Sequence, residues 1–339
     1  MIGHDEALRR EPTLADGLYG AALFTEYRTC DARLVLATIR GAHAAGARLH
    51  LTKGIHLVVP HERLPLRHAV VMTARDKRGI FAVPRGAATY LGTTDTNYGL
   101  PALNPEITAE DAEYLLEAAA RTFSGKPLTR ADVVGAWAGL RPLLHEEGKS
   151  PSEISRRDEI MVGADGVVSV AGGKLTTHRR MAERVVEIVY ERLGQRPAHS
   201  RTAEVPLPGG ERSPAELGRL TADLERALPR LGRAGAERLV MHYGAEAARL
   251  ARPDAPILAG STPVLEAEVV VAVEEEMALT LEDVLDRRLR LLYFDARQGL
   301  DVVEPAAALV ASRLGWDAAR TAREIAGYRE LAASLRRFP

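Results

Sequence analysis

Cysteine occurs once in the 339 residues, at Cys30, which rules out an intrachain disulfide, a cysteine-rich zinc site and an iron–sulfur cluster held by this chain alone. A lone thiol suits a reducing cytoplasm. Lysine is scarce too: Lys53, Lys77, Lys126, Lys149 and Lys174 are the only ones, so forty of the 45 basic residues are arginine. Each arginine therefore says less about function, and each lysine slightly more. Neither sign of charge is in excess, with 45 Lys+Arg against 46 Asp+Glu, which argues against a general nucleic-acid binder. The most apolar stretches, near residues 57–60 and 269–273, are far too short to span a bilayer. Met1 to Glu6 has neither the basic start nor the apolar run of a signal peptide. The ten histidines show no His-x-x-x-His spacing, so no metal site is expected. No Gly-x-Gly-x-x-Gly follows a strand pattern, and a self-contained Rossmann site for a dinucleotide pyrophosphate is therefore not evident.

What is present describes a folded protein: 46% hydrophobic and 27% charged residues, with a length that suggests two domains. Residues 31–46 read as a helix capped by Asp31 and stopped at Gly46. Short apolar runs at 49–60, 68–73, 79–84 and 89–92, broken by charged or glycine-containing turns, predict an antiparallel sheet. A helix is expected from Thr108 to about Phe123, then strands at 132–137, 159–163 and 166–171 and a helix to about Leu193. The fold class is α+β followed by an all-α domain. The expected divisions are residues 1–195, a linker at 196–214, and a helical domain at 215–339 that carries no strand signal.

Several residues could carry chemistry. Gly172-Gly173-Lys174-Leu175-Thr176-Thr177 joins a strand to a helix. Two glycines permit close backbone approach, and the following N–H groups favour an anion. A tight turn with a threonine cap explains the same residues, and the Gly four positions upstream that a Walker A loop needs is missing. Arg141, in Gly139-Leu140-Arg141-Pro142, is placed by this reading at a strand end, suited to bidentate recognition of a carboxylate or phosphate. Arg141 and Arg156 also read as surface arginines in an arginine-rich chain. His56, beside Gly54, could take a proton from a substrate hydroxyl or be a structural histidine. Asp95 is read as turn chemistry.

In order along the chain, the blocks Asp31-Ala32-Arg33-Leu34, Lys53-Gly54-Ile55-His56, Leu91-Gly92-Thr93-Thr94-Asp95, Gly139-Leu140-Arg141-Pro142-Leu143, Ser155-Arg156, Ala171 to Thr177 and Glu274 to Leu285 resemble the FAD-dependent glycerol-3-phosphate dehydrogenases, within the D-amino-acid-oxidase-like flavoproteins. The resemblance implies an incomplete FAD-dependent oxidoreductase domain with an antiparallel substrate-side sheet and a helical C-terminal cap. It also implies oxidation of glycerol 3-phosphate to dihydroxyacetone phosphate by hydride transfer to flavin.

On this resemblance His56 and Arg141 are the catalytic residues. Arg141, Arg156 and Lys174 would bind the substrate, and Gly172, Gly173, Lys174, Leu175 and Thr176 the flavin. A quinone or another acceptor would take the electrons, in the cytoplasm or at the inner face of the cell membrane, with a homodimer left open. Relatives begin with a Gly-x-Gly-x-x-Gly turn and carry an excursion where Gly46 to Lys53 here joins two elements directly, in a way that could fuse into one strand. Relatives usually have tyrosine at the position of His178. These departures carry the alternative: a catalytically silent remnant, or a non-catalytic phosphate-binding protein that no longer holds FAD. They also predict exposed apolar surface near residues 17–60.

Overall fold

The computed structural model describes residues 2–14, 20–21, 49–99, 105–144, 158–163 and 166–335. The helix expected over 31–46 and Arg156 lie outside them. Near the N-terminus β1 (Ile2–Gly3) pairs with β2 (Gly20–Ala21), with α1 (His4–Arg10) following β1.

The centre of the first half is a six-stranded antiparallel sheet built on β3 (Leu49–Pro60), the continuous strand expected across the junction. On one edge of β3 lie β6 (Ala88–Gly92) and β7 (Thr96–Asn97), with β5 (Gly79–Arg85) and β4 (Val70–Thr73) beyond β6. The other edge pairs with β8 (Gly135–Leu144) from Leu49↔Leu144 to Val58↔Gly135.

Period-two alternation gives the sheet two different faces. Ile55, Leu57 and Val59 point into the core with Leu91, Ile80, Met72 and Ala136. There they meet Ala112, Leu115, Leu116 and Ala119 of α2 (Ala109–Thr122), a set spaced at i, i+3, i+4 and i+7. Thr108 and Asp111 close a reciprocal capping box at the start of α2. Asp111 also holds the buried Lys53 ammonium at 2.6 Å, pinning the helix to the sheet. The opposite face presents Gly54, His56 and Val58 of β3.

A second antiparallel pair, β9 (Asp158–Val162) and β10 (Val168–Gly172), packs beside β8 and leads into α3 (His178–Arg192). The remainder is mostly helical: α4 (Pro214–Ala227), α5 (Gly232–Tyr243), α6 (Ala247–Leu250), α7 (Glu266–Glu274), a π-helical turn at Asp283–Arg288, α8 (Leu291–Phe294), α9 (Val303–Leu314) and α10 (Ala318–Ser334). One core gathers Leu220, Leu224, Leu239 and Leu265, and a second gathers Leu281, Leu285, Leu292, Val303 and Val310.

Three expectations need correction. β8 continues through Gly139, Arg141 and Pro142 to Leu144, so Arg141 lies within a strand and not at its end. β3 offers a full-length partner, and an edge strand tolerates a proline whose missing donor faces outward. The helical half contains a short ribbon, β11 (Ile257–Leu258) with β12 (Val264–Leu265), whose two-residue strands are too short to show alternation. Finally, of residues 17–60, where exposed apolar surface is expected, residues 51–60 are buried or half-buried, because both faces of β3 are covered, while 22–48 lie outside the described residues. Exposed apolar side chains include Val162 and Val167, Val186 and Val189 of α3, and Leu193 just beyond it.

Candidate active site

Directly opposed residues of antiparallel strands share a face. The register therefore aligns Thr52 with Arg141, Gly54 with Gly139, and His56 with both Trp137 and Gly92 on the face turned away from α2. Gly54 and Gly139 leave bare backbone between the arginine and the histidine. Arg141 uses that space: a Cβ on Gly54 would stand 2.5 Å from Nη2 and 2.6 Å from Nη1.

The segment after β6 holds the guanidinium. Nη1 donates to Asp95 Oδ1 and to the Thr94 carbonyl, each at 3.2 Å, and Nη2 donates to Thr93 Oγ1 at 3.0 Å. Thr94 Oγ1 accepts from the Ile55 amide at 3.0 Å and ties the segment to β3. Each residue of Gly92-Thr93-Thr94-Asp95 thus has a task in the site. The Arg141 side chain remains 28% exposed, so the guanidinium also reaches solvent.

His56 occupies the space above Gly92, where any side chain would overlap the imidazole. Its ring stacks on Trp137, with centroids 4.7 Å apart and planes 12° from parallel. Burial, and after it the Arg141 charge, lowers the imidazole pKa to about 4. The ring is therefore neutral across the neutral range, with Nδ1 buried and without a hydrogen-bond partner among the described residues. Thr52 Oγ1, on the same face, is likewise buried and unpartnered among them.

The glycine turn follows β10, outside the ladder that carries this pair. Gly172 and Gly173 both have positive φ, 75° and 81°, which lets β10 turn sharply into a 3₁₀ turn at Leu175–Thr177 ahead of α3. Lys174 is exposed at the entry of that turn, and its carbonyl accepts from Thr177 Oγ1 at 2.8 Å. Leu175 is half-buried, Thr176 is exposed, and His178 Nδ1 lies 2.7 Å from the Leu175 carbonyl. No hydrogen bond or ion pair among the described residues joins Lys174 to Arg141 or His56. The structure thus brings His56 and Arg141 together, leaves Lys174 on a neighbouring element, and does not describe Arg156.

Sequence reasoning overlooked Trp137 and Tyr90, the side chains around His56, and read Asp95 as turn chemistry although it is the counter-charge of Arg141. The signal for Trp137 is the strand register, which exists only once β3 and β8 are paired. Lys53, within the same block as His56, faces the other way and is structural. Among the described residues no cluster of side chains could hold a metal ion, and no helix is long and apolar enough to cross a membrane.

This architecture is that of an FAD-dependent oxidoreductase: a family profile described as "FAD dependent oxidoreductase" matches residues 49–188. A second, "C-terminal domain of alpha-glycerophosphate oxidase", matches residues 200–321. The aerobic glycerol-3-phosphate dehydrogenase of Bacillus subtilis is 31% identical, over 94% of this chain and 70% of the relative. That of Staphylococcus haemolyticus is 32% identical, over 88% of this chain and 67% of the relative. The solved glycerol-3-phosphate dehydrogenase of Bacillus halodurans, complexed with FAD, superposes with a TM-score of 0.72 at 31% identity. That superposition takes in 88% of this chain and 59% of the solved one. The chain belongs to the FAD-dependent glycerol-3-phosphate dehydrogenase family. The stretch matched with the B. subtilis protein is 390 positions long, more than this whole chain, so the relative carries intervening positions that have no counterpart here.

The residues present fit the ring end of FAD. Gly172 and Gly173, both at positive φ, carry no Cβ at the turn, and the amides of the 3₁₀ turn that follows are donors of the kind that suit the negative charge a reduced flavin carries. Among the described residues, no glycine-rich cradle for the pyrophosphate accompanies them.

Proposed function

We propose that this chain oxidises glycerol 3-phosphate to dihydroxyacetone phosphate. The observation that supports this most directly is the pairing, on one sheet face, of an arginine held for an oxyanion with a neutral, buried imidazole. Arg141 binds the phosphate by charge-assisted hydrogen bonds, and Arg156 and Lys174 add positive charge. His56 accepts the C2 hydroxyl proton as the C2–H bond breaks and the carbonyl forms. Flavin, when bound against Gly172, Gly173, Lys174, Leu175 and Thr176, supplies the acceptor for the C2 hydride. The protein's remaining task is to exclude water and hold the two reacting hydrogens in fixed directions.

The arrangement also tunes the base. Arg141 is one of the two causes that depress His56. A bound phosphate dianion offsets that positive charge, so the imidazole becomes more basic when substrate is in place. The electrons then pass to a quinone or a similar carrier, with the chain at the inner membrane surface.

A second reading, a silent phosphate-binding chain that no longer holds FAD, is supported by the intervening positions that the relative carries and this chain lacks. Turnover of glycerol 3-phosphate with a dye acceptor, with and without added FAD, separates the two. Activity that depends on FAD and falls in Arg141→Lys through a raised KM supports the first. Phosphate-ester binding without turnover or stoichiometric flavin absorbance establishes the second.

A further inference from the structure

The chain is poor in aromatics, 5% of its residues, yet four of them gather around His56. Tyr90 meets the imidazole edge-on at 6.0 Å, and Trp137 stacks on it. Trp137 in turn lies 5.0 Å from Tyr293 and 5.9 Å from Phe294, while Tyr90 lies 5.9 Å from Phe294. Arg85 of β5 covers Phe294 from outside at 4.4 Å.

Tyr293 and Phe294 belong to the helical half. Arg290, in the left-handed region at φ 61°, ends the π-helical segment and redirects the chain into α8. Leu291 and Leu292 are buried in the helical core, so the next two residues project onto the sheet. One helical segment is thus anchored at one end and inserted at the other.

A histidine that takes a proton is normally oriented by a hydrogen bond at its second ring nitrogen. His56 has no such bond among the described residues, since Nδ1 is buried and unpartnered. Packing must set the ring's direction, and Gly92 on one flank with the Trp137 indole on the other provides it.

We propose that Trp137 is a positioning residue for His56 and that Tyr293 and Phe294 hold it in place, making the helical half part of the proton-accepting apparatus. The proposal rests on the reading of His56 as the proton acceptor. The titratable groups facing the imidazole are Arg141 of β8 and Tyr90 of β6; on the far side of the indole stands Tyr293 of α8.

The test is an NMR titration of the His56 ring in the full chain, assigned with His56→Gln and repeated in Trp137→Leu, Trp137→Phe and Tyr293→Leu. Trp137→Leu admits water to the ring and moves its midpoint upward by about one pH unit or more. Trp137→Phe restores most of the wild-type value, and Tyr293→Leu moves it in the same direction by less. In the FAD-supplemented assay, Trp137→Leu lowers kcat about tenfold with little change in KM, the reverse of Arg141→Lys.

An unmoved midpoint in both leucine variants overturns the proposal. If Trp137→Leu does not fold, Tyr293→Leu alone decides by the same criterion. A chain that does not oxidise glycerol 3-phosphate but whose midpoint moves as stated loses the proposed function and keeps the positioning role. Turnover with an unmoved midpoint has the opposite meaning.

Discussion

The guanidinium of Arg141 lies so close over Gly54 that no side chain larger than hydrogen fits between them. Two strands separated by more than eighty residues meet in register there. The arginine is aimed by the absence of a methyl group as much as by its hydrogen bonds to Thr93, Thr94 and Asp95.

Gly54→Ala should therefore expel Arg141 while leaving the strand paired. Overpacking at such a site costs about 1–3 kcal/mol of stability. On the proposed role of Arg141, the larger effect is on KM for glycerol 3-phosphate, expected to rise about tenfold, or about 1.4 kcal/mol. Kinetics and thermal melts on the same preparation check this, and an unchanged KM refutes it.

The buried Lys53–Asp111 pair predicts an asymmetry. Lys53→Met removes a cation that donates to Asp111 at 2.6 Å and to the Glu106 carbonyl at 2.8 Å. Breaking one side of a buried pair costs about 3–5 kcal/mol, and replacing both members by apolar side chains costs much less. Urea unfolding of Lys53→Met should show the large loss, and the double variant with Asp111→Leu a smaller one. Equal losses would mean that the pair is not what pins α2.

Acid stability follows from two histidines. Burial and a neighbouring arginine, Arg141 for His56 and Arg238 for His242, hold both near pKa 4 against an ordinary 6.5. Between those values the unfolded chain binds more protons than the folded one. Their contribution is fully present above about pH 6.5 and drains away as pH falls toward 4. Asp286 opposes this, since burial raises its carboxyl to about 6 and its contribution grows as pH falls. Chemical denaturation at pH 7 and pH 5 should show a loss that shrinks in the His56→Gln/His242→Gln double variant and deepens in Asp286→Asn.

The segment ahead of α4 is held by two glycines. Gly209 and Gly244 both have positive φ, 84° and 56°, and the Gly209 carbonyl accepts from the Ala245 amide at 2.8 Å. A Cβ on either would overlap the other segment's backbone. Alanine at either position should destabilise the helical half by more than the roughly 1 kcal/mol that a left-handed conformation alone costs. Melting monitored by helical circular dichroism tests it, and a change within error would show that the contact is loose.

Much of the architecture could be read locally. The capping box at Thr108 and Asp111, the apolar spacing of α2 and the double glycine before α3 are short-range signals, and each element stands where its signal lies. Gly92-Thr93-Thr94-Asp95 was recognisable as a block but not interpretable. The partners of its residues are His56, Arg141 and Ile55, on strands far away in sequence. The strand pattern reads only to residue 137, whereas pairing with β3 carries β8 through Pro142 to Leu144.

The order of motifs, through the family they resemble, pointed to an FAD-dependent oxidoreductase domain joined to a helical domain and offered His56 and Arg141 as candidate site residues. Only the tertiary structure decided why those two belong together. Pairing β3 with β8 and β6 places Trp137 and Gly92 around the imidazole, Gly54 beneath the guanidinium and Asp95 beside it. Side-chain direction alternates with period two along a strand, so a single position of register separates a working site from a buried core. That register is set by long-range pairing that no local pattern contains.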